Sequence, residues 1–163
     1  MRFVLNCFLL LTLFGQESPR IRKAGLIGKP APSFAAVGLD GKTYSLDSLR
    51  GKPVLLDFFA TWCSPCIESM PTVEKLKSEY GPKGLIVLRV NVGESRGTVE
   101  TFVRAHRISY PVIIDKESGI ASAYSITVYP TFIMIDSDGK IVDLQTGFHE
   151  AALSGMVTKA GLR

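Results

Sequence analysis

Cys63 and Cys66 stand either side of Ser64-Pro65 in "WCSPC", directly after "PVLLDFFA", an apolar run that carries one acid, Asp57. Cysteines at this spacing can close a disulfide, supply half of a metal site, or exchange electrons with another disulfide. If the apolar run is a strand and "SPC" opens a helix, Cys63 stands at the helix N-terminus. Free N–H groups and the dipole there favour a thiolate and lower its pKa. Cys66 lies about 4.5 Å further along the axis and on a neighbouring face, within reach of a disulfide. Pro65 fits the first turn, where its missing donor costs nothing. Cys63 therefore reads as an exposed nucleophile and Cys66 as a buried resolving thiol, exchanging with a client through a mixed disulfide.

Asp57 stands six residues before Cys63, within a strand expected to be buried on both faces. Desolvation there should raise its pKa. A core strand tolerates an acid poorly unless the acid is hydrogen-bonded or has a use. Cys66, one turn into the helix, should face the strand, and resolution at neutral pH requires a group that takes its proton. Asp57 is placed to do so directly or through a water. A zinc site is the competing reading of the cysteines, but it needs two more ligands, and His106 and His149 are isolated and far along the chain. An inert structural disulfide is the other.

The elements that must position these groups are legible as alternating patterns. "FAAVGLDGKTYSL" places apolar segments around Asp40-Gly41, a hairpin signal. "PVLLDFFA" suits a central strand. Residues 64–79 read as a helix with Met70, Val73, Leu76 and Tyr80 on one face, kinked by Pro71. "GLIVLRVNV" and "YPVII" are further core strands, and 95–108 and 118–125 are helical. "PTFIMID" and "KIVDLQTG" form a hairpin, and a last helix spans about 150–160. The order predicts an α/β sandwich with a mixed sheet.

The 163 residues are 46% apolar and 21% charged, a globular composition sized for one domain. The balance of 19 basic to 15 acidic residues, with no basic run, argues against nucleic acid. The N-terminus differs: Phe3 to Phe14 is an apolar stretch after Arg2, followed by Gly15. Its helical length, about 18 Å, falls short of a bilayer core and suits a secretory signal, with an N-terminal anchor as the rival. Residues 1–15 are thus read as signal or anchor, 16–26 as linker and 27–163 as one domain. Of the three cysteines, removal of Cys7 with a signal leaves one pair. Cys7, preceded by Leu5-Asn6, does not read as a lipid-attachment site.

Taken together, "GKPAPSF", "LDGKTYSLDSLRGKPVLLDFFATWCSPC", Pro71, "VNVGES", "YPVIID", "VYPTFIMID" and "DGKIV" resemble the thioredoxin superfamily. The nearest branch is that of the exported TlpA/ResA-like thiol–disulfide oxidoreductases, a redoxin domain, over about residues 27–162. The resemblance implies a thioredoxin-like fold, with a mixed central sheet flanked by helices, an N-terminal β-hairpin and a central helix–strand insertion. It implies a cis Tyr129-Pro130 bond beside the disulfide, and a client-binding rim comprising Trp62, Ser64, Pro65, Tyr129 and Pro130. Arg89 falls where thioredoxins carry a lysine paired with the buried aspartate, so it should lie near Asp57 and tune its pKa; a surface arginine is the alternative.

Two departures qualify the likeness. Many TlpA-like chains have asparagine where Asp57 stands, and their helices carry glutamate where this one has Ser69. Glu68, rotated about 100° away, does not inherit that role. A peroxiredoxin-like peroxidase is a further alternative, but peroxiredoxins place threonine three residues before the reactive cysteine; here that residue is Ala60, and Thr61 comes one residue late. The reading that follows is an exported reductase of protein disulfides, because Ser64-Pro65 resembles the Gly-Pro of reducing members. No cofactor is expected beyond the Cys63–Cys66 disulfide. By resemblance, electrons come from a membrane thiol–disulfide donor, and apocytochrome c is one family substrate. A redox-responsive binding module is the non-enzymatic alternative.

Overall fold

The structure, a computed structural model, describes residues 25–163, so the expected signal or anchor and most of the linker lie outside the described residues. Among the described residues, seven strands and five α-helices follow one another in the expected alternation. β1 (Ala35–Val37) and β2 (Thr43–Ser45) pair as a small antiparallel hairpin. β3 (Val54–Phe59) leads to α1 (Ser64–Glu68) and α2 (Met70–Tyr80). β4 (Ile86–Val92), α3 (Arg96–His106), β5 (Val112–Asp115) and α4 (Gly119–Ala123) follow. β6 (Thr131–Ile135), β7 (Ile141–Thr146) and α5 (Glu150–Lys159) complete the chain.

The central sheet has the order β5-β4-β3-β6-β7, with β3 parallel to β4 and antiparallel to β6. The N-terminal hairpin stays off this sheet, joined to it by a bridge between Gly38 and Ile113. β3 is therefore flanked on both edges and covered on both faces, and all six of its residues are buried. That burial explains why the run shows no polar alternation.

The two faces of β3 serve different ends. Val54, Leu56 and Phe58 pack with Leu88, Val90, Ile113, Ile133 and the α4 residue Ala121. Leu55 points the other way, into a core of Val73 and Leu76 from α2 and Leu153, Met156 and Val157 from α5. At the C-terminal end of that second face, Phe59 and Ala60 join Val99 and Phe102 of α3 and both cysteines. The two-residue period puts Asp57 between Leu55 and Phe59 on this second face.

The helix predicted over 64–79 is two helices, divided at Ser69. Pro71 has no N–H to give the Ile67 carbonyl, and the division falls at Ser69, two residues before it. Ser69 Oγ donates instead to the Cys66 carbonyl at 2.9 Å.

Leu56 is fully buried on the central strand. Leu56→Ala should destabilise the protein by about 3 kcal/mol in urea unfolding, through lost burial and a residual cavity. A cost below about 1 kcal/mol would contradict the packing described.

Candidate active site

β3 ends at Phe59, and the chain turns through Ala60-Thr61-Trp62 into α1. Cys63 is the N-cap of that helix, in extended conformation, and Cys66 N–H approaches Cys63 Sγ at 3.2 Å. Pro65 lies in the first turn, as its geometry favours. The two cysteines are joined as a disulfide, with Cα atoms 5.2 Å apart. Cys66 is wholly enclosed. Cys63, expected to be exposed, retains only 5% exposure. Its sulfur is held in the disulfide and packed in a cluster with Phe59, Ala60 and the Tyr129 ring, so the more accessible thiol differs from its partner by little.

The accessible surface is supplied by the rim. Trp62 is 72% exposed, and its indole meets Tyr129 edge-on at 6.1 Å. Ser64 and Pro65 are exposed beside it. The Tyr129-Pro130 bond is cis; Pro130 is buried, while Val128, just before, is exposed. The residues expected to form a client-binding rim thus fall into two segments, joined by the contact between Trp62 and Tyr129.

Beneath the rim is a buried charged network. Parallel pairing sets Asp57 opposite Arg89. Both side chains are fully buried, with Arg89 Nε 3.0 Å from Asp57 Oδ2. The approach is an ion pair without an in-line hydrogen bond, and both carboxylate oxygens lack a hydrogen-bonding partner. Arg89 is not a surface arginine: its guanidinium stacks 4.1 Å above Phe59, and Nη2 donates to the Cys66 carbonyl at 2.8 Å. The Cys66 carbonyl thus accepts from both Arg89 and Ser69. Asp57 is connected to the helix of the resolving cysteine by way of Arg89.

Burial pushes the Asp57 carboxyl above its ordinary value, and the Arg89 charge, pulling the other way, does not cancel that. Tyr110, in the same core, is also raised by burial; Arg89 opposes the shift, whereas Asp57 and Glu74 add to it.

Sequence reasoning passed over Glu94, within "VNVGES". Gly93, at φ +78°, turns the chain after β4 and presents Glu94 to the loop before Trp62. Glu94 Oε2 accepts from Thr61 N–H at 2.7 Å and from Asn91 Nδ2 at 2.6 Å, and Oε1 accepts from Thr61 Oγ1 at 2.5 Å. An acid directly after a buried strand and a turn glycine was the available signal, but its partner, Thr61, is 33 residues away.

Among the described residues, no group of three or more His, Cys, Asp or Glu side chains could hold a metal. His106 is exposed at the end of α3 against Phe102, and His149 caps α5; neither approaches the cysteines as a ligand set.

A mixed sheet with a CxxC disulfide at the C-terminal end of its central strand and a cis-proline loop alongside defines a thioredoxin-fold thiol–disulfide oxidoreductase. The chain belongs to the Redoxin family, whose model matches residues 26–159. It is similar to the thiol-disulfide oxidoreductase ResA of Bacillus cereus, 40% identical over 117 residues, or 72% of this chain and 68% of that one. The ResA of Geobacillus thermodenitrificans is 36% identical over 126 residues, covering 77% and 72%. A Chlorobium tepidum crystal structure ascribed to the thiol:disulfide interchange protein DsbE superposes with a TM-score of 0.77 at 31% identity, covering 82% of this chain and 96% of that one. The protein is accordingly a protein-disulfide oxidoreductase of thioredoxin-like fold.

The raised Asp57 pKa has a thermodynamic sign. A carboxyl whose pKa is higher folded than unfolded binds more protons in the native state. Its stabilising contribution is complete below the ordinary value of 3.8 and is lost as pH rises through the folded value. Urea unfolding should therefore show wild type losing stability relative to Asp57→Asn as pH is raised from about 4 to about 8. A gap between the two that does not vary with pH would contradict the raised pKa.

Proposed function

We propose that the protein is an exported reductase of protein disulfides. The reduced Cys63 thiolate attacks one sulfur of a client disulfide; that bond breaks, a mixed disulfide forms, and one client thiolate leaves. Cys66, deprotonated, then attacks Cys63 Sγ and releases the second client thiolate. The client gains two electrons and, with solvent exchange, two protons, while the dithiol becomes the Cys63–Cys66 disulfide. Trp62, Ser64, Pro65 and Tyr129 form the surface that receives the client chain, backed by the buried Pro130.

The observation that carries the exchange chemistry is the buried Asp57 carboxyl, with its raised pKa, joined through Arg89 to the Cys66 peptide; the reducing direction follows Ser64-Pro65, which resembles the Gly-Pro of reducing members. Resolution is the step that needs a proton removed from a fully buried thiol, and an acid poised above the ordinary carboxylate range is matched to that task. Asp57 acts as the acceptor, directly or through a water; Arg89 limits how far its pKa rises.

Repeated turnover requires a dithiol that re-reduces Cys63–Cys66. Outside the cytoplasm that source is a membrane thiol–disulfide donor. The apolar stretch from Phe3 to Phe14 supports export, with the domain from residue 27 onward delivered to the far side. Among the described residues no helix is long and apolar enough to cross a membrane.

Insulin-disulfide reduction tests the assignment. Wild type should reduce insulin with a dithiol donor, and Cys66→Ser should accumulate the mixed disulfide without turnover. Wild type that binds a partner but leaves insulin oxidised would instead indicate a redox-responsive binding module. The Cys63–Cys66 potential decides direction: a value near about −120 mV, as in strong oxidants, would reverse it. Asp57→Asn should slow mixed-disulfide resolution at pH 7 by about tenfold or more, and an unchanged rate would remove Asp57 from the mechanism.

A further inference from the structure

The carboxylate of Glu94 stands at the junction of three segments that the exchange reaction uses. It comes from the turn after β4, is held by Asn91 at the end of that strand, and accepts both donors of Thr61, immediately before Trp62 and Cys63. Phe59 and Asn91 are register partners, so the ends of β3 and β4 lie side by side and the carboxylate bridges them. Ser95, the next residue, caps α3 by accepting from Thr98 N–H, which fixes the backbone from which Glu94 extends.

Thr61 is where the regular strand hydrogen bonds of β3 have ended and those of α1 have not begun. Its N–H has a side chain as its acceptor rather than a sheet partner. Both bonds to Thr61 are short, 2.7 Å to its N–H and 2.5 Å to its hydroxyl. Together they fix both its backbone and its side-chain rotamer. The consequence reaches Trp62, whose 72% exposed indole meets Tyr129 edge-on.

We propose that Glu94 is a positioning residue for thiol–disulfide exchange: by clamping Thr61 to the end of β4, it sets where Trp62 and Cys63 meet the client. This rests on the oxidoreductase reading and adds to it a residue that touches neither sulfur. The clamp is geometric, not a matter of charge. Glutamine can reproduce all three contacts, its amide oxygen accepting from Thr61 N–H and Asn91 Nδ2 while its amide nitrogen donates to Thr61 Oγ1. Alanine reproduces none.

The test uses the full chain carrying Cys66→Ser, so that reduced Cys63 reacts once and stops, combined with Glu94→Ala, Glu94→Gln or Thr61→Val. Trp62 is the only tryptophan in the chain, so its fluorescence and acrylamide quenching report the rim without any client. Glu94→Ala should slow attack of Cys63 on oxidised insulin by about tenfold and raise the Trp62 quenching constant, while Glu94→Gln stays within about threefold of its parent. Thr61→Val, which loses only the hydroxyl bond, should fall between them, and it decides the matter if the alanine variant does not fold. Glu94→Ala with lowered unfolding stability but unchanged attack rate and quenching would reduce Glu94 to a structural role and overturn the proposal. Glu94→Gln as slow as Glu94→Ala would also overturn it, since charge and not geometry would then be the cause. If wild type fails to reduce insulin yet Glu94→Ala still loosens Trp62 and slows iodoacetamide alkylation of Cys63, the clamp stands and the reductase reading fails.

Discussion

Arg89 is held by three groups at once: the Asp57 carboxylate at 3.0 Å, the Phe59 ring at 4.1 Å and the Cys66 carbonyl at 2.8 Å. No charged side chain belongs at the centre of a sheet on grounds of stability alone. Removing two ions from water costs several kcal/mol each, and their attraction often fails to recover it. The pair is also out of line for a hydrogen bond, so it lacks the geometry that would make it a strong one. Its effect is instead to connect. A guanidinium on β4 reaches past β3 to the peptide of the buried cysteine, and the neighbouring elements are arranged around that reach.

The broken helix is part of that arrangement. An uninterrupted helix from Ser64 to Tyr80 would commit its carbonyls to its own ladder. With the division at Ser69, the Cys66 carbonyl receives a hydroxyl and a guanidinium from outside it. Ser69 is fully buried, whereas Glu68 beside it is exposed, so the acid-for-serine difference changes the interior of the site and not merely its surface. In the proposed mechanism, proton handling at Cys66 then falls to Asp57, the acid on the strand side. Glu94 performs a separate office at the ends of β3 and β4, where its carboxylate accepts from Thr61 and Asn91 and gathers the loop that carries Trp62.

Much of this was legible beforehand, for identifiable reasons. β3 was readable because a strand buried on both faces shows as an unbroken apolar run. The cysteines were readable because their spacing and position after that run leave few chemical uses. Asp57 stood out as the acid that breaks the run, whereas Arg89 was expected beside it only through the resemblance to thioredoxins. The helix boundary at Ser69 was less accessible: Pro71 announces a disturbance, but where the ladder parts depends on the partners offered to the Cys66 carbonyl by other elements. The near-equal burial of the two thiols was missed because exposure depends on Tyr129 and Phe59, which the local helix pattern does not contain. Glu94 was missed because an acid before a helix N-cap is ordinary in a sequence, and its significance lies in Thr61.

What the chain determines locally is the kind of chemistry: a thiol pair at a helix start, an acid within an apolar strand, a proline that interrupts a helix, and turns where glycine permits them. These follow from period, spacing and residue type, which act over a few positions. What only the tertiary structure decided is which of these groups share a space. Parallel registry placed Arg89 against Asp57, and the adjoining ends of β3 and β4 placed Glu94 beneath Thr61. Registry and close approach arise from packing between segments tens of residues apart, and a pattern read along one segment carries no measure of distance to another.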